Sequence, residues 1–124
     1  MPNLFLVMIG GAIGAGLRYG VGLAAPRLGD QFPWGTFIVN LTGGLCAGLL
    51  LGFLLSRGSE ADPWRMLLGV GLLGGFTTFS AFSAETFYMI QQGQFGLAAF
   101  YVFASVLGAL CLLSAGLWLA RAPT

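Results

Sequence analysis

The chain contains no histidine and no lysine, and charged side chains make up only 7% of its 124 residues. Without histidine, the commonest catalytic base and metal ligand is missing. With five basic residues against four acidic ones and a formal net charge of +1, no basic footprint for nucleic acid exists. A soluble domain carries about a quarter charged residues, so water is not the main solvent of this chain. Cysteine is scarce as well. Cys46 and Cys111 both lie inside apolar stretches and match no metal or redox spacing, which reads as packing. No set of residues supports catalysis.

What is abundant is apolar surface, at 57% of the residues, gathered into four runs of bilayer length, roughly 20 residues each. They cover about residues 4–25, 37–55, 64–90 and 95–120. Pro26, Gly29-Asp30 and Pro33 break the chain after the first run. Arg57, Gly58, Ser59, Glu60, Asp62 and Pro63 form the most polar loop, and Gln91-Gln92-Gly93-Gln94 is a short turn. The N-terminal run has no basic residue ahead of it and continues past Arg18, so it reads as a membrane helix rather than a signal peptide. The expectation is an all-α integral membrane protein, one transmembrane domain over residues 1–124, with both termini on one side. No soluble domain, linker or low-complexity tail is expected.

Arginine sets orientation only weakly. Arg57, Arg65 and Arg121 fall on the side of the termini, against Arg27 with Arg18 nearby on the other. So small a bias permits insertion in both orientations, and with it an antiparallel homodimer about a two-fold axis in the membrane plane. Four helices are also few for enclosing a polar path alone. The glycines at 10 and 14, 16 and 20, 44, 48 and 52, and 71 and 75 are each four apart, a spacing that lets helix backbones approach closely in lipid. That approach serves packing within one subunit or a dimer contact, and the spacing does not distinguish them.

Polar groups inside the spans are the functional candidates, because a central charge costs about 2.5–3.5 kcal/mol on insertion scales. Arg18 lies in the first span and Glu85 in the third. Each is read as an electrostatic element near a pore mouth, or else Arg18 snorkels towards the interface and Glu85 is exposed in a vestibule or at the headgroups. Asn40 sits about one turn inside the second span, where its amide serves an anion or bonds across to another helix.

The third span is unusual. Gly74-Gly75 followed by Thr77-Thr78 and three phenylalanines forms helix poorly, since glycine costs about 1 kcal/mol against alanine and threonine is stiff at its side chain. A helix broken near the middle of the span is expected. Breaks at membrane depth survive where protein covers the freed backbone or where it lines a cavity, and unwound carbonyls coordinate cations. Beyond the break, Phe79 and Phe82 are three apart, as are Ser80 and Ser83. On a resumed helix they form adjacent stripes of rings and hydroxyls. A phenyl edge carries partial positive charge, so ring edges with hydroxyl or amide donors can replace part of a small anion's hydration shell; the alternative is ordinary packing. On the fourth span Tyr101 and Ser105 share a face, with Ser114 further along.

Gly-Gly-Phe-Thr-Thr-Phe-Ser-Ala-Phe-Ser-Ala-Glu from Gly74, Gly-Thr-Phe-Ile-Val-Asn-Leu-Thr-Gly upstream and Gly-Leu-Arg-Tyr in the first span together resemble the Fluc (CrcB) fluoride channels over almost the whole chain. The resemblance implies a passive channel exporting fluoride from the cytoplasm of a bacterium through its inner or plasma membrane, built as a dual-topology antiparallel homodimer with two pores. By motif position it implies that Asn40, Phe79, Ser80 and Phe82 line the fluoride path, with Tyr101 and Ser105 on the fourth-helix side. Gly74 and Thr77 would give backbone carbonyls to a structural sodium ion on the dimer axis. Arg18 would be the family's first-helix arginine, and Glu85 its acidic residue near a vestibule. One departure is Ala109, where some relatives carry a further hydroxyl.

The reading is therefore a fluoride-selective channel that lowers fluoride toxicity, whose partners are fluoride, sodium, lipid and a second copy of itself. Two other readings stand beside it. A small dual-topology multidrug exporter would carry a glutamate in the first span, where this chain has Arg18. A non-conducting scaffold would leave the third span's break without a purpose.

Overall fold

The computed structural model describes residues 2–25, 32–55 and 62–121. The breakers Pro26 and Gly29-Asp30, Arg27, and the loop residues Arg57, Gly58, Ser59 and Glu60 lie outside the described residues.

The described residues are helical almost throughout. In chain order they form α1 (Pro2–Ala24), α2 (Trp34–Leu55), the short α3 (Asp62–Trp64), a π-helical segment (Arg65–Leu73), α4 (Gly74–Phe76), α5 (Ser80–Gln91) and α6 (Phe95–Arg121). Four stretches among them are long and apolar enough to cross a membrane: Asn3–Ala24, Trp34–Leu55, Arg65–Gln91 and Phe95–Ala120. Helices that are apolar all round need either a large protein or lipid to cover them. Here Phe5, Leu17, Phe87, Phe103 and Trp118 are all exposed, which suits a lipid-facing surface and would be costly in water. This is a multi-pass membrane protein.

Two helix pairs hold the bundle together: α2 lies along α6, and α1 lies along the π-helical segment and α4. Glycine makes both contacts possible. A Cβ on Gly75 would come within 2.5 Å of the Gly11 carbonyl oxygen, and one on Gly116 within 2.5 Å of the Leu45 oxygen, so backbone meets backbone there. The glycine rows at 10 and 14, 71 and 75, and 44 and 48 are thus spent on contacts within the chain. Gly16 and Gly20 have nothing within 4 Å of an added Cβ, and among the described residues their face is open.

The α5–α6 turn follows from Gly93. Its φ of 79° is the left-handed conformation that glycine adopts freely. Gly93 N–H donates to Ile90 O at 3.0 Å and Gln94 N–H to Met89 O at 2.9 Å, the paired bonds of a Schellman helix end. This turn folds α5 back on α6 and buries Met89, Ala98 and Tyr101, with Phe32, Phe37, Phe82 and Leu97 packed around them.

Candidate functional site, the junction between α4 and α5

Between α4 and α5 the backbone leaves the helix. Thr77 takes φ −81°, ψ 158°, an extended conformation, and α5 begins three residues later at Ser80. Thr77 still closes the preceding turn, its N–H and Oγ1 both donating to Leu73 O at 2.9 and 2.8 Å. The next donors go elsewhere. Thr78 N–H, which in a continuous helix would bond Gly74 O, donates to Asn40 Oδ1 at 3.0 Å. Ala81 N–H, which would bond Thr77 O, donates to Thr78 Oγ1 at 3.2 Å. The carbonyls of Gly74 and Thr77 therefore lose their helical partners to side chains. Gly75 O accepts from Arg18 Nε at 3.1 Å, a cation at the carbonyl end of a helix, where the dipole favours it.

Asn40 grips the junction from α2. Its Nδ2 donates to Thr78 O at 3.0 Å while its Oδ1 takes the Thr78 N–H, so one amide pairs both backbone groups of a single residue. Of the two readings of Asn40 from sequence, the bond to another helix is present. It uses one of the two amide N–H donors.

A cleft of about 490 Å³ opens at the junction. Asn40, Gly43, Gly74, Thr77, Phe79, Phe82, Ser105 and Ala109 are among its lining residues. Phe79 is 78% exposed and its ring lies 5.9 Å from that of Phe82, tilted by 43°. Ser105 is buried, and its Oγ has no hydrogen-bond partner among the described residues. An unpaired buried hydroxyl costs about 1–3 kcal/mol, and this one is in the lining of the cleft.

Glu85 binds three helices together. From α5 its Oε2 accepts the Thr36 hydroxyl of α2 at 3.0 Å, and its Oε1 accepts the Tyr101 hydroxyl of α6 at 2.9 Å. Tyr101 is fully buried, its ring 5.0 Å from Phe82 and edge-on to Phe32 at 5.3 Å. On its other side Glu85 lines a second cleft of about 480 Å³ with Phe32, Tyr88, Gln92 and Gln94. Arg18 lines a third, of about 270 Å³, with Thr36, Thr78 and Ala81.

Comparison with known proteins gives the family. The family described as CrcB-like protein, Camphor Resistance (CrcB), matches residues 5–117. The chain belongs to the CrcB family. A Caulobacter protein named fluoride-specific ion channel FluC is 53% identical over 123 residues, 98% of this chain and 96% of the relative. A Sphingopyxis alaskensis protein of the same name is 50% identical over 122 residues, 98% of this chain and 97% of the relative. One from Nitrobacter hamburgensis, named fluoride-specific ion channel FluC 2, is 47% identical over 120 residues, 96% and 97%.

Of the residues expected from CrcB resemblance, Asn40, Gly74, Thr77, Phe79, Phe82 and Ser105 meet at the junction cleft. Ser80 is exposed beside it, its Oγ 3.5 Å from Thr78 Oγ1. Tyr101, Glu85 and Arg18 are not among the lining residues of that cleft; the first two are tied to each other and Arg18 to Gly75. Sequence reasoning missed Thr36 and Thr78. Thr36 lies four residues before Asn40, hence on the same helix face. Thr78 has the spacing of a hydroxyl that caps a helix start, as it does for Ala81.

Proposed function

We propose that this protein is a fluoride-selective passive channel through which fluoride leaves the cytoplasm of a bacterial cell, lowering its toxicity. The observation that carries the identity of the ion is similarity over nearly the whole chain to proteins named fluoride-specific ion channels. The junction cleft supports it chemically. A compact anion enters an apolar membrane only where donors replace its water. The cleft offers the remaining Asn40 amide N–H, the unpartnered Ser105 hydroxyl, the nearby Ser80 hydroxyl and the edges of Phe79 and Phe82. A phenyl edge attracts an anion weakly and cannot be deprotonated, so the path stays passable rather than becoming a tight trap. Ala109 lines the same cleft where a further hydroxyl would lengthen the donor track.

The third span acts in this reading as a broken helix. Its two released carbonyls, Gly74 and Thr77, suit a sodium ion, a hard cation that takes oxygen ligands. Among the described residues no group of three or more histidine, cysteine or acidic side chains could hold a metal. When bound, sodium would neutralise these carbonyl dipoles at membrane depth. Two carbonyls do not complete a coordination shell, and the strong exposure of Phe79, beside an exposed Gly74, fits a second copy of the chain packed antiparallel against this face. Such a homodimer would supply the remaining carbonyls and close the cleft. Tyr101 backs Phe82 from α6, while Arg18 holds the α4 end of the break and Glu85 stands at the wall of a vestibule.

Reconstituted Phe79→Ile and Phe82→Ile variants test the reading. Each should impair fluoride efflux from liposomes, followed with a fluoride electrode, while still eluting as a dimer on gel filtration. Unchanged efflux in both would remove the ring edges from the path.

A further inference from the structure

Among the residues the family resemblance assigns to the ion path, Tyr101 has its hydroxyl committed elsewhere. Its proton points to Glu85 Oε1 at 2.9 Å, and Thr36 points its own to Glu85 Oε2 at 3.0 Å. One carboxylate thus receives two hydroxyls, one from α2 and one from α6, while standing on α5. With that proton engaged, Tyr101 presents its ring and not a donor. The ring is fully buried between Phe82, at 5.0 Å and 47°, and Phe32, at 5.3 Å and edge-on.

We propose that Thr36, Glu85 and Tyr101 form a positioning unit for the Phe82 ring, with Thr36 as the residue that fixes it to α2. Glu85 lies three residues after Phe82 on the same helix, so both ends of this unit bear on one turn of α5. Hydrogen bonds are directional; two of them on the Glu85 carboxyl group restrain its rotamer and, through the Tyr101 hydroxyl, the position of the ring behind Phe82. The aromatic contacts that follow prefer tilted or edge-on geometry, so a change in the Tyr101 ring passes to Phe82. Fluoride passage then depends on Thr36, which is not among the residues lining the junction cleft.

This inference rests on the fluoride-channel reading for its functional consequence but not for its structural one, and the test separates them. Phe82 is replaced by para-fluorophenylalanine, and the ¹⁹F resonance is recorded for the otherwise unaltered dimer and for Thr36→Val and Thr36→Ser. Valine keeps the shape and removes the donor; serine keeps the donor. The expected result is a shifted or broadened resonance in Thr36→Val and a near-native one in Thr36→Ser. Without the label, Thr36→Val should lower fluoride efflux and Thr36→Ser should restore it. Should the valine variant fail to fold, Tyr101→Phe cuts the same chain from the other end and should move the resonance likewise. A resonance unmoved in the folded variant overturns the positioning unit, whatever the efflux. If the unaltered protein passes no fluoride, the channel reading fails, and the resonance still judges the unit.

Discussion

Asn40 is the residue on which the junction most depends. Thr78 has left the helix, and its N–H and C=O would both be unpaired at membrane depth without the Asn40 amide. Asn40→Ala should therefore cost more than a typical side-chain deletion, about 1–3 kcal/mol for each backbone group stranded, and lower the thermal unfolding temperature in detergent as well as abolish efflux. An Asn40→Ala protein that melts like the native one would show that water or lipid satisfies Thr78 instead. Ser105 gives the opposite pattern. Its hydroxyl is buried without a partner, so Ser105→Ala removes an unsatisfied group and should leave stability equal or slightly raised, while fluoride efflux falls. Stability and conduction moving in opposite directions is the signature of a donor held for an ion rather than for the fold.

At the scale of elements, the glycine rows sort by what they touch. An added methyl at Gly75 meets the α1 backbone at Gly11, whereas one at Gly16 meets nothing among the described residues. Gly75→Ala should destabilise the protein by about 1–3 kcal/mol, as overpacking does; Gly16→Ala should stay within about 0.5 kcal/mol in the subunit. Equal melting temperatures for the two would contradict the α1–α4 contact. Spacing alone could not separate these rows, because glycines four apart record a face and not its neighbour. Much else at this scale was legible. Four long apolar helices follow from hydropathy, and the α5–α6 turn from Gly93. The poor helix formers run from Gly74 to Thr78, but the helix continues through both glycines to Phe76 and the extended residue is Thr77. The deciding contacts are non-local: Arg18 takes Gly75 O and Asn40 takes Thr78, and no local propensity contains them. The tie between Thr36, Glu85 and Tyr101 escaped notice for the same reason, joining residues far apart in sequence.

For the whole molecule, the chain is open on the face that carries the junction. A cleft of about 490 Å³ lies open there, with Phe79 at 78% exposure beside two carbonyls released from their helix. In the proposed reading an antiparallel partner and a sodium ion complete it, so the purified protein should run at the mass of two chains and melt at a higher temperature in sodium than in N-methylglucamine, since a ligand bound only by the folded state raises its stability. Selectivity belongs to this scale too, because it depends on the whole path. The most direct measurement is anion efflux from liposomes holding the purified protein, loaded with fluoride in one batch and chloride in another. The expected result is rapid release of fluoride and hardly any of chloride; comparable release of both would contradict a fluoride-selective path.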